Sequence, residues 1–314
     1  MRRILHAVVG AAWLLSMTLV YAGNVPQHIW IALAEEGGPY AEVAGVLRAE
    51  LPAAAITTAS WGALADSKES PPDMIITVGH AALEGMLGRL AARGAAWEGI
   101  PIVATLLPRV SYRAELDNHP PGRRPVAALV LDQPVARQMA LIRRTLPNVR
   151  RVAVLPGPQT RPYLDALARE ADARELKLVK AGSIDAPEHI FASLRAALET
   201  ADVLLALPDT VVYNSASLQN ILLTTYRAHV PLMAFSPAYV RAGAMLAVYS
   251  TPSQIARQAA AIVRDWRATG RLPAEQMPHE FTVITNPKVA ASLGMALDDA
   301  TVITEDMRRQ EVNP

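Results

Sequence analysis

Histidine, hydroxyl and carboxylate side chains are where chemistry would have to reside in this chain, because its 314 residues include no cysteine. That absence removes disulfides, thiolate metal sites and cysteine nucleophiles together. No G-x-S-x-G elbow, P-loop, G-x-G-x-x-G or H-E-x-x-H motif occurs. Beyond His6, the histidines are His28, His80, His119, His189, His229 and His279, scattered without metal-ligand spacing. Each reads as a surface or capping residue. With no nucleophile–base pair and no metal constellation, the residues describe a binding protein and not an enzyme, with no cofactor and no metal centre.

Position along the chain selects the candidate binding residues. Ligands in open α/β sheets sit outside the carboxyl ends of the strands, where helix N-termini offer free N–H groups. His80 follows Ile76-Thr77-Val78-Gly79, at the end of a strand pattern and the start of a helical one, and Gly79 permits close backbone approach. A plain strand-to-helix turn accounts for the same residues equally well. Thr105, the loop Gly157–Thr160, the segment Ser183–Asp185, Asp209-Thr210 and Ser236 occupy equivalent positions. Asp209, just after the apolar run Leu205-Ala206-Leu207, is the strongest single candidate. Its carboxylate can receive a ligand ammonium, or it can serve as N-cap for a helix over Val211–Arg227. Tyr40, Tyr163, Tyr213 and Tyr249 lie near strand ends, where an aromatic ring either lines an apolar pocket or simply packs.

The elements that must position these residues alternate regularly. Apolar runs at Ile29–Leu33, Ile56–Ser60, Met74–Val78, Ile102–Leu106 and Ala127–Leu131 form one series. Val152–Leu155, Leu178–Ala181, Val203–Leu207, Leu232–Phe235 and Met245–Val248 form a second. Most are continuous and not alternating, which is the pattern of strands buried on both faces of a parallel sheet. Helical patterns lie between them, so βαβ units follow. Val135, Met139, Ile142 and Leu146 form one apolar stripe after Pro134. Asp185 with Glu188, and Thr251 with Gln254, read as capping boxes; Gly270 ends the second helix. Asn286-Pro287 starts a short helix that Gly294 stops. The Pro-, Gly- and Arg-rich stretch His119–Pro125 separates the two series. The expected fold class is α/β: two Rossmann-like lobes with parallel sheets and a cleft between them.

Composition narrows the setting. The chain is 51% hydrophobic and 19% charged with a net charge of +1, which supplies a large core and no basic patch, so nucleic acid is not an expected partner. Arg2 and Arg3 precede an uncharged, mostly apolar run from Ile4 to Val20, and Val20-Tyr21-Ala22 places small residues where a leader is cut. Cleavage after Ala22 is expected, giving a periplasmic protein of a Gram-negative bacterium.

Several segments resemble a known family, from about Ile100 to Leu297. They are Gly99-Ile100-Pro101-Ile102-Val103, the run Leu146-Pro147-Asn148-Val149-Arg150-Arg151-Val152-Ala153-Val154-Leu155, Ala201-Asp202-Val203-Leu204-Leu205 leading to Pro208-Asp209-Thr210-Val211, and Phe281-Thr282-Val283-Ile284-Thr285-Asn286. The last runs into Pro287-Lys288-Val289-Ala290-Ala291-Ser292-Leu293-Gly294. In order and spacing these resemble the ABC transporter substrate-binding proteins of the tryptophan- and tyrosine-uptake type, which have the type I periplasmic binding protein fold. The resemblance implies a protein that closes on a small molecule, amino acid-like or another small organic, and delivers it to an ABC permease in the inner membrane. It implies that Asp209-Thr210 and the loop Gly79-His80-Ala81 face the ligand, and that the chain crosses between lobes three times, the helix Ser253–Ala268 returning to the first lobe and the segment from Phe281 packing on the second.

The lobes expected from this reading are residues 23–131 plus about 249–275, and 132–248 plus about 276–314, in a monomer. The expected site residues are Gly79, His80, Ala81, Thr105, Thr160, Asp209, Thr210, Ser236 and Tyr249. The alternative function is a periplasmic sensing module that uses the same fold to signal to a membrane receptor or kinase. Intact-mass measurement of the exported protein is expected to show a chain beginning at Gly23, with net charge moved from +1 to −1 by loss of Arg2 and Arg3; a full-length chain held in the inner membrane would overturn this.

Overall fold

The computed structural model describes residues 28–90 and 92–312; the expected leader and cleavage site lie outside them. The strands are β1 (His28–Leu33), β2 (Ala55–Ser60), β3 (Met74–Val78), β4 (Ile102–Leu107), β5 (Val126–Val130), β6 (Arg151–Val154), β7 (Lys177–Lys180), β8 (Val203–Leu205), β9 (Leu232–Ala234), β10 (Leu246–Tyr249) and β11 (Thr282–Thr285). The first five form one sheet in the order β2-β1-β3-β4-β5, and the other six a second in the order β11-β10-β9-β8-β6-β7. All pairings are parallel except β10 with β11, which is antiparallel.

Burial follows strand position. Central β3, β8 and β9 are buried at every residue, whereas the edge strands β2 and β7 are partly exposed. Lys177 and Lys180 at the two ends of β7 blunt one edge of the second sheet. The opposite edge is covered by β11. Its sequence Thr282-Val283-Ile284-Thr285 joins the sheet only by folding back along β10, with Leu246 opposite Thr285, so a reading for parallel βαβ units passes over it.

Local signals held where side chain and backbone close a bond within one turn. Thr251 accepts from the Gln254 amide and Gln254 reaches back to the Thr251 amide, a complete capping box for the helix Pro252–Thr269. Gly270 ends that helix in the left-handed conformation at φ 67°. Asn286 caps Pro287–Ser292 through the Val289 amide. Two expectations are corrected. Asp185 and Glu188 form no capping box: Asp185 pairs with Arg161, and a short 3-10 turn precedes the helix Ile190–Leu198 with no side-chain cap at Ala186. The helix after Asp209 is shorter than expected, Leu218–Arg227, because Ser217 and Asn214 bond the backbone of residues 210–217 into turns.

Three segments run between the sheets: residues 131–134, 250–251 and 270–281. After β10 the helix Pro252–Thr269 packs on the helix Gly38–Glu50 and on β4 and β5, and the chain then returns to pair β11 with β10. On the way, Gln276 adds to the open edge of β5: Val130 N–H donates to its carbonyl (3.0 Å) and its own N–H donates to the Ala128 carbonyl (2.8 Å).

The crossings are bonded to one another by buried side chains. Gln133 Nε2 donates to Ser250 Oγ (3.0 Å), and Ser250 Oγ donates to the Glu280 carbonyl (2.6 Å). Arg137, only 5% exposed, donates to Gln133 Oε1, to the carbonyls of Pro278 and His279, and to both oxygens of Glu311, while its guanidinium lies 4.3 Å from the Phe281 ring centroid. Replacing Arg137 by Met retains most of the stem and leaves these acceptors without their donor. Urea unfolding of Arg137→Met is expected to lose about 3 kcal/mol, at the low end for a broken buried pair because Glu311 itself is partly exposed; an unchanged midpoint would refute the role given to this residue.

Candidate functional site

A cavity of about 200 Å³ lies where the carboxyl ends of both sheets meet the first crossing. From the first sheet it is walled by Pro108-Arg109-Val110, which follow β4. The crossing contributes Leu131-Asp132-Gln133 and the start of the helix Val135–Thr145, which presents Val135 and Gln138. The second sheet supplies Thr160, Tyr163 and Leu167 after β6, Leu207 and Pro208 after β8, Phe235 and Ser236 after β9, and Val248 of β10; Met277 of the third crossing closes one side. The walls are mainly apolar with a few convergent polar groups, the usual make-up of a small-molecule site.

Two charged residues lie side by side in this wall. Asp132 Oδ2 accepts from the Arg109 amide at 2.6 Å. Burial raises the Asp132 carboxyl above its ordinary range, against the lowering effect of the Arg109 amide and guanidinium. Arg109 is held by Glu275 of the third crossing, which also accepts from Arg113. The Arg109 guanidinium sits 5.7 Å from the Tyr163 ring centroid, a cation–π distance that joins the first-sheet side of the cavity to the second-sheet side. Phe235 is backed by Tyr239 at 4.7 Å and Tyr213 at 6.1 Å between ring centroids.

Of the expected site residues, Thr160 and Ser236 line this cavity, as does Tyr163. The others lie elsewhere. Gly79, at φ 96°, donates to the Thr105 carbonyl, and an added Cβ would come within 2.8 Å of Tyr40 and Ala34; its close approach is to the chain itself. His80 is half exposed and bonded to Glu115, and Ala81 is exposed beside it. Thr105 is fully buried, with its hydroxyl donating to the Thr77 carbonyl. Thr210 is exposed and its amide donates to Gln159 Oε1. Tyr249 pairs with Thr282 of β11.

Asp209 has a different environment from either of the two expected for it. It is 2% exposed; Oδ2 accepts from the Gln159 and Thr160 amides and the Thr160 hydroxyl, and Oδ1 from the Val211 amide. The loop backbone approaches so closely that a Cβ on Gly157 would lie 2.4 Å from the carboxylate. The carboxylate therefore ties the loop after β6 to the loop after β8 and holds Thr160 and Pro208 at the cavity wall. Asp132, Arg109 and Gln133 were missed in the sequence, although Asp132 stands at the end of the fifth strand run, where the strand-end rule that selected Asp209 also applies.

Asp209→Ala leaves several buried amides without an acceptor, each costing about 1–3 kcal/mol. Ligand-free protein is expected to lose about 3 kcal/mol or more in chemical denaturation, well beyond a lost helix cap. Asp209→Asn is also expected to destabilise, since its amide NH₂ must oppose backbone donors on one side or the other. Parent-like stability in both variants would count against this structural tie.

The ABC transporter substrate binding protein family model matches residues 72–307. No curated protein matches the chain. Among solved structures, the ligand-free, open form of a substrate binding protein with adhesive properties from Clostridium difficile aligns with a TM-score of 0.65 at 14% identity, over 87% of this chain and 96% of that one. An ABC domain in complex with L-Trp from Streptococcus pneumoniae aligns with a TM-score of 0.58 at 11% identity, over 89% and 98%. A conserved domain protein from Vibrio cholerae gives 0.58 at 19% identity, over 89% and 98%. These likenesses show the fold of type I periplasmic binding proteins, and the family match spans most of the chain from β3 to the last helix. The chain belongs to the ABC transporter substrate binding protein family.

Proposed function

We propose that this protein captures a small solute, amino-acid-like or another small organic molecule, in the cavity between its sheets and delivers it to an ABC permease of the inner membrane. The observation that supports this reading most directly is the composition of the cavity wall: residues following β4 on one sheet and β6, β8 and β9 on the other, with the crossings behind them. A molecule seated there touches both lobes at once. Contacts made by both lobes exist only when the lobes are together, so solute binding shifts the population toward the closed form.

The reading further assigns the lobes as residues 23–131 with about 249–275 and 132–248 with about 276–314, in a monomer that acts in the periplasm after loss of its leader. Among the described residues, no helix is long and apolar enough to cross a membrane. Binding and release, without covalent chemistry, are the work assigned to the site. Asp132 takes the cationic group of the solute, and the apolar walls take its body. Arg109, already neutralised by Glu275, orients Asp132 through its amide and lines the cavity with its side chain.

A carboxylate kept in the site against its own desolvation leaves a signature. The folded state raises the Asp132 pKa, so the folded protein binds the proton more readily than the unfolded chain, and the ionised group detracts from stability above the ordinary carboxylate range. Ligand-free Asp132→Asn is thus expected to be at least as stable as the parent at pH 7, with the difference narrowing as pH falls toward that range. A screen of amino acids and small organic acids by thermal shift identifies the solute, and calorimetry should then show Asp132→Asn weakened by about 2–4 kcal/mol. Absence of any stabilising solute, or equal affinity in the variant, would refute the assignment of ligand or residue respectively.

A further inference from the structure

Away from the cavity, the helices that follow β3 and β4 bring together four side chains that sequence scatters over 40 positions. His80 and Glu84 stand one turn apart on the helix His80–Leu90, and Glu115 and His119 stand one turn apart at the end of the helix Arg109–Asn118. His80 Nε2 lies 2.7 Å from Glu115 Oε1, and His119 Nδ1 lies 3.3 Å from Glu115 Oε2. Ligand atoms of His80, Glu84 and Glu115 all lie within 4.8 Å of one another. His119 is held against the first helix, its Nε2 3.5 Å from where a Cβ on Gly88 would be. None of the four residues lines the cavity.

Burial makes this more than a chance surface grouping. The Glu115 side chain is only 6% exposed, while that of His80 is 48% exposed and opens to solvent. A carboxylate is costly to desolvate without partners, and here its two oxygens are aimed at two imidazoles. The result is a buried inner ligand with solvent-exposed outer ligands, and therefore an entry path for an ion.

We propose that His80, Glu84 and Glu115 form a binding site for a divalent transition cation of the zinc class that staples the helices after β3 and β4. His119 is the positioning residue that orients the Glu115 carboxylate from behind, as carboxylate–histidine pairs orient ligands in metal sites generally. One imidazole nitrogen with two carboxylates suits zinc and its neighbours; magnesium and calcium prefer all-oxygen sites. Bonds of about 2.0–2.2 Å place tetrahedral ligand atoms about 3.4 Å apart. The His80–Glu115 pair widens by less than an ångström to admit the ion, and the separations to Glu84, none above 4.8 Å, adjust to the same spacing. The cation replaces the proton between His80 Nε2 and Glu115; the imidazole then carries its proton on Nδ1, and any second proton leaves to water. The fourth position is left to water.

Titration of tag-free, chelator-treated full chain with ZnCl₂, followed by calorimetry and thermal unfolding, tests the site. One saturable equivalent and a raised unfolding midpoint are expected, with no comparable response to MgCl₂ or CaCl₂. His80→Ala and Glu84→Gln alter exposed side chains, so the fold is retained; each is expected to weaken zinc affinity by about tenfold to a hundredfold. His119→Ala is expected to weaken it about tenfold. Cobalt substitution reads the geometry directly, through visible absorption of a four-coordinate ion that His80→Ala abolishes. Absence of saturable zinc binding, zinc affinity unchanged in His80→Ala, or an equal response to magnesium would each overturn the proposal. The solute screen is unaffected by any of these results, so the two readings stand or fall separately.

Discussion

Everything in this architecture depends on how the backbone is satisfied where the chain leaves one sheet for the other. A crossing segment belongs to neither ladder, yet it runs through the protein's interior, where an unpaired amide or carbonyl is costly. The chain meets the constraint with side chains of fixed reach. Gln133 and Gln138 bond the first crossing, Ser250 links the second to the third, and Arg137 gathers the carbonyls of Pro278 and His279. The third crossing supplies its own backbone to the edge of β5 through Gln276. These bonds tie the three crossings to one another and, through Gln276, to the edge of the first sheet.

The same crossings furnish the chemistry of the cavity. Asp132 and Gln133 are crossing residues, Glu275 is the crossing residue that holds Arg109, and Met277 is a wall. A solute bound there would contact the crossings as well as residues that follow strands of both sheets. Under the proposed function, that is the differential interaction between open and closed forms that ligand-driven closure requires. The walls are mainly apolar, and burial holds the one carboxylate among them above its ordinary pKa.

On the second lobe a buried carboxylate does scaffolding work that its position alone would assign to ligand binding. Asp209 lies where the strand-end rule places ligand-facing residues, and Thr160 and Pro208 beside it are in the cavity wall. Its oxygens are nevertheless consumed by backbone amides of the neighbouring loop. The Asp209 carboxylate is thus one layer behind the surface it shapes.

The alternation of continuous apolar runs with helical stripes was enough, from sequence alone, to establish the α/β class, two sheets, ten of the strands to within a residue or two, and the caps at Thr251, Gly270 and Asn286. Those features depend on local periodicity and on bonds closed within one turn, so a few adjacent residues carry them. Tertiary structure decided what depends on distant partners. The strand β11 exists because β10 offers it an antiparallel edge. Asp132 and Arg109 share a cavity because the first crossing folds onto the end of β4, and Asp209 is drawn from the solute because the loop after β6 brings the Gln159 and Thr160 amides to its carboxylate. His80 and Glu115 meet although 35 residues apart, and the histidines looked scattered because spacing along the chain carries no information about which helices lie side by side. Sequence specifies which strand ends face a cleft; only packing between elements specifies which side chains there remain free to meet a solute, since each carboxylate bonds whichever donors the fold brings within about 3 Å.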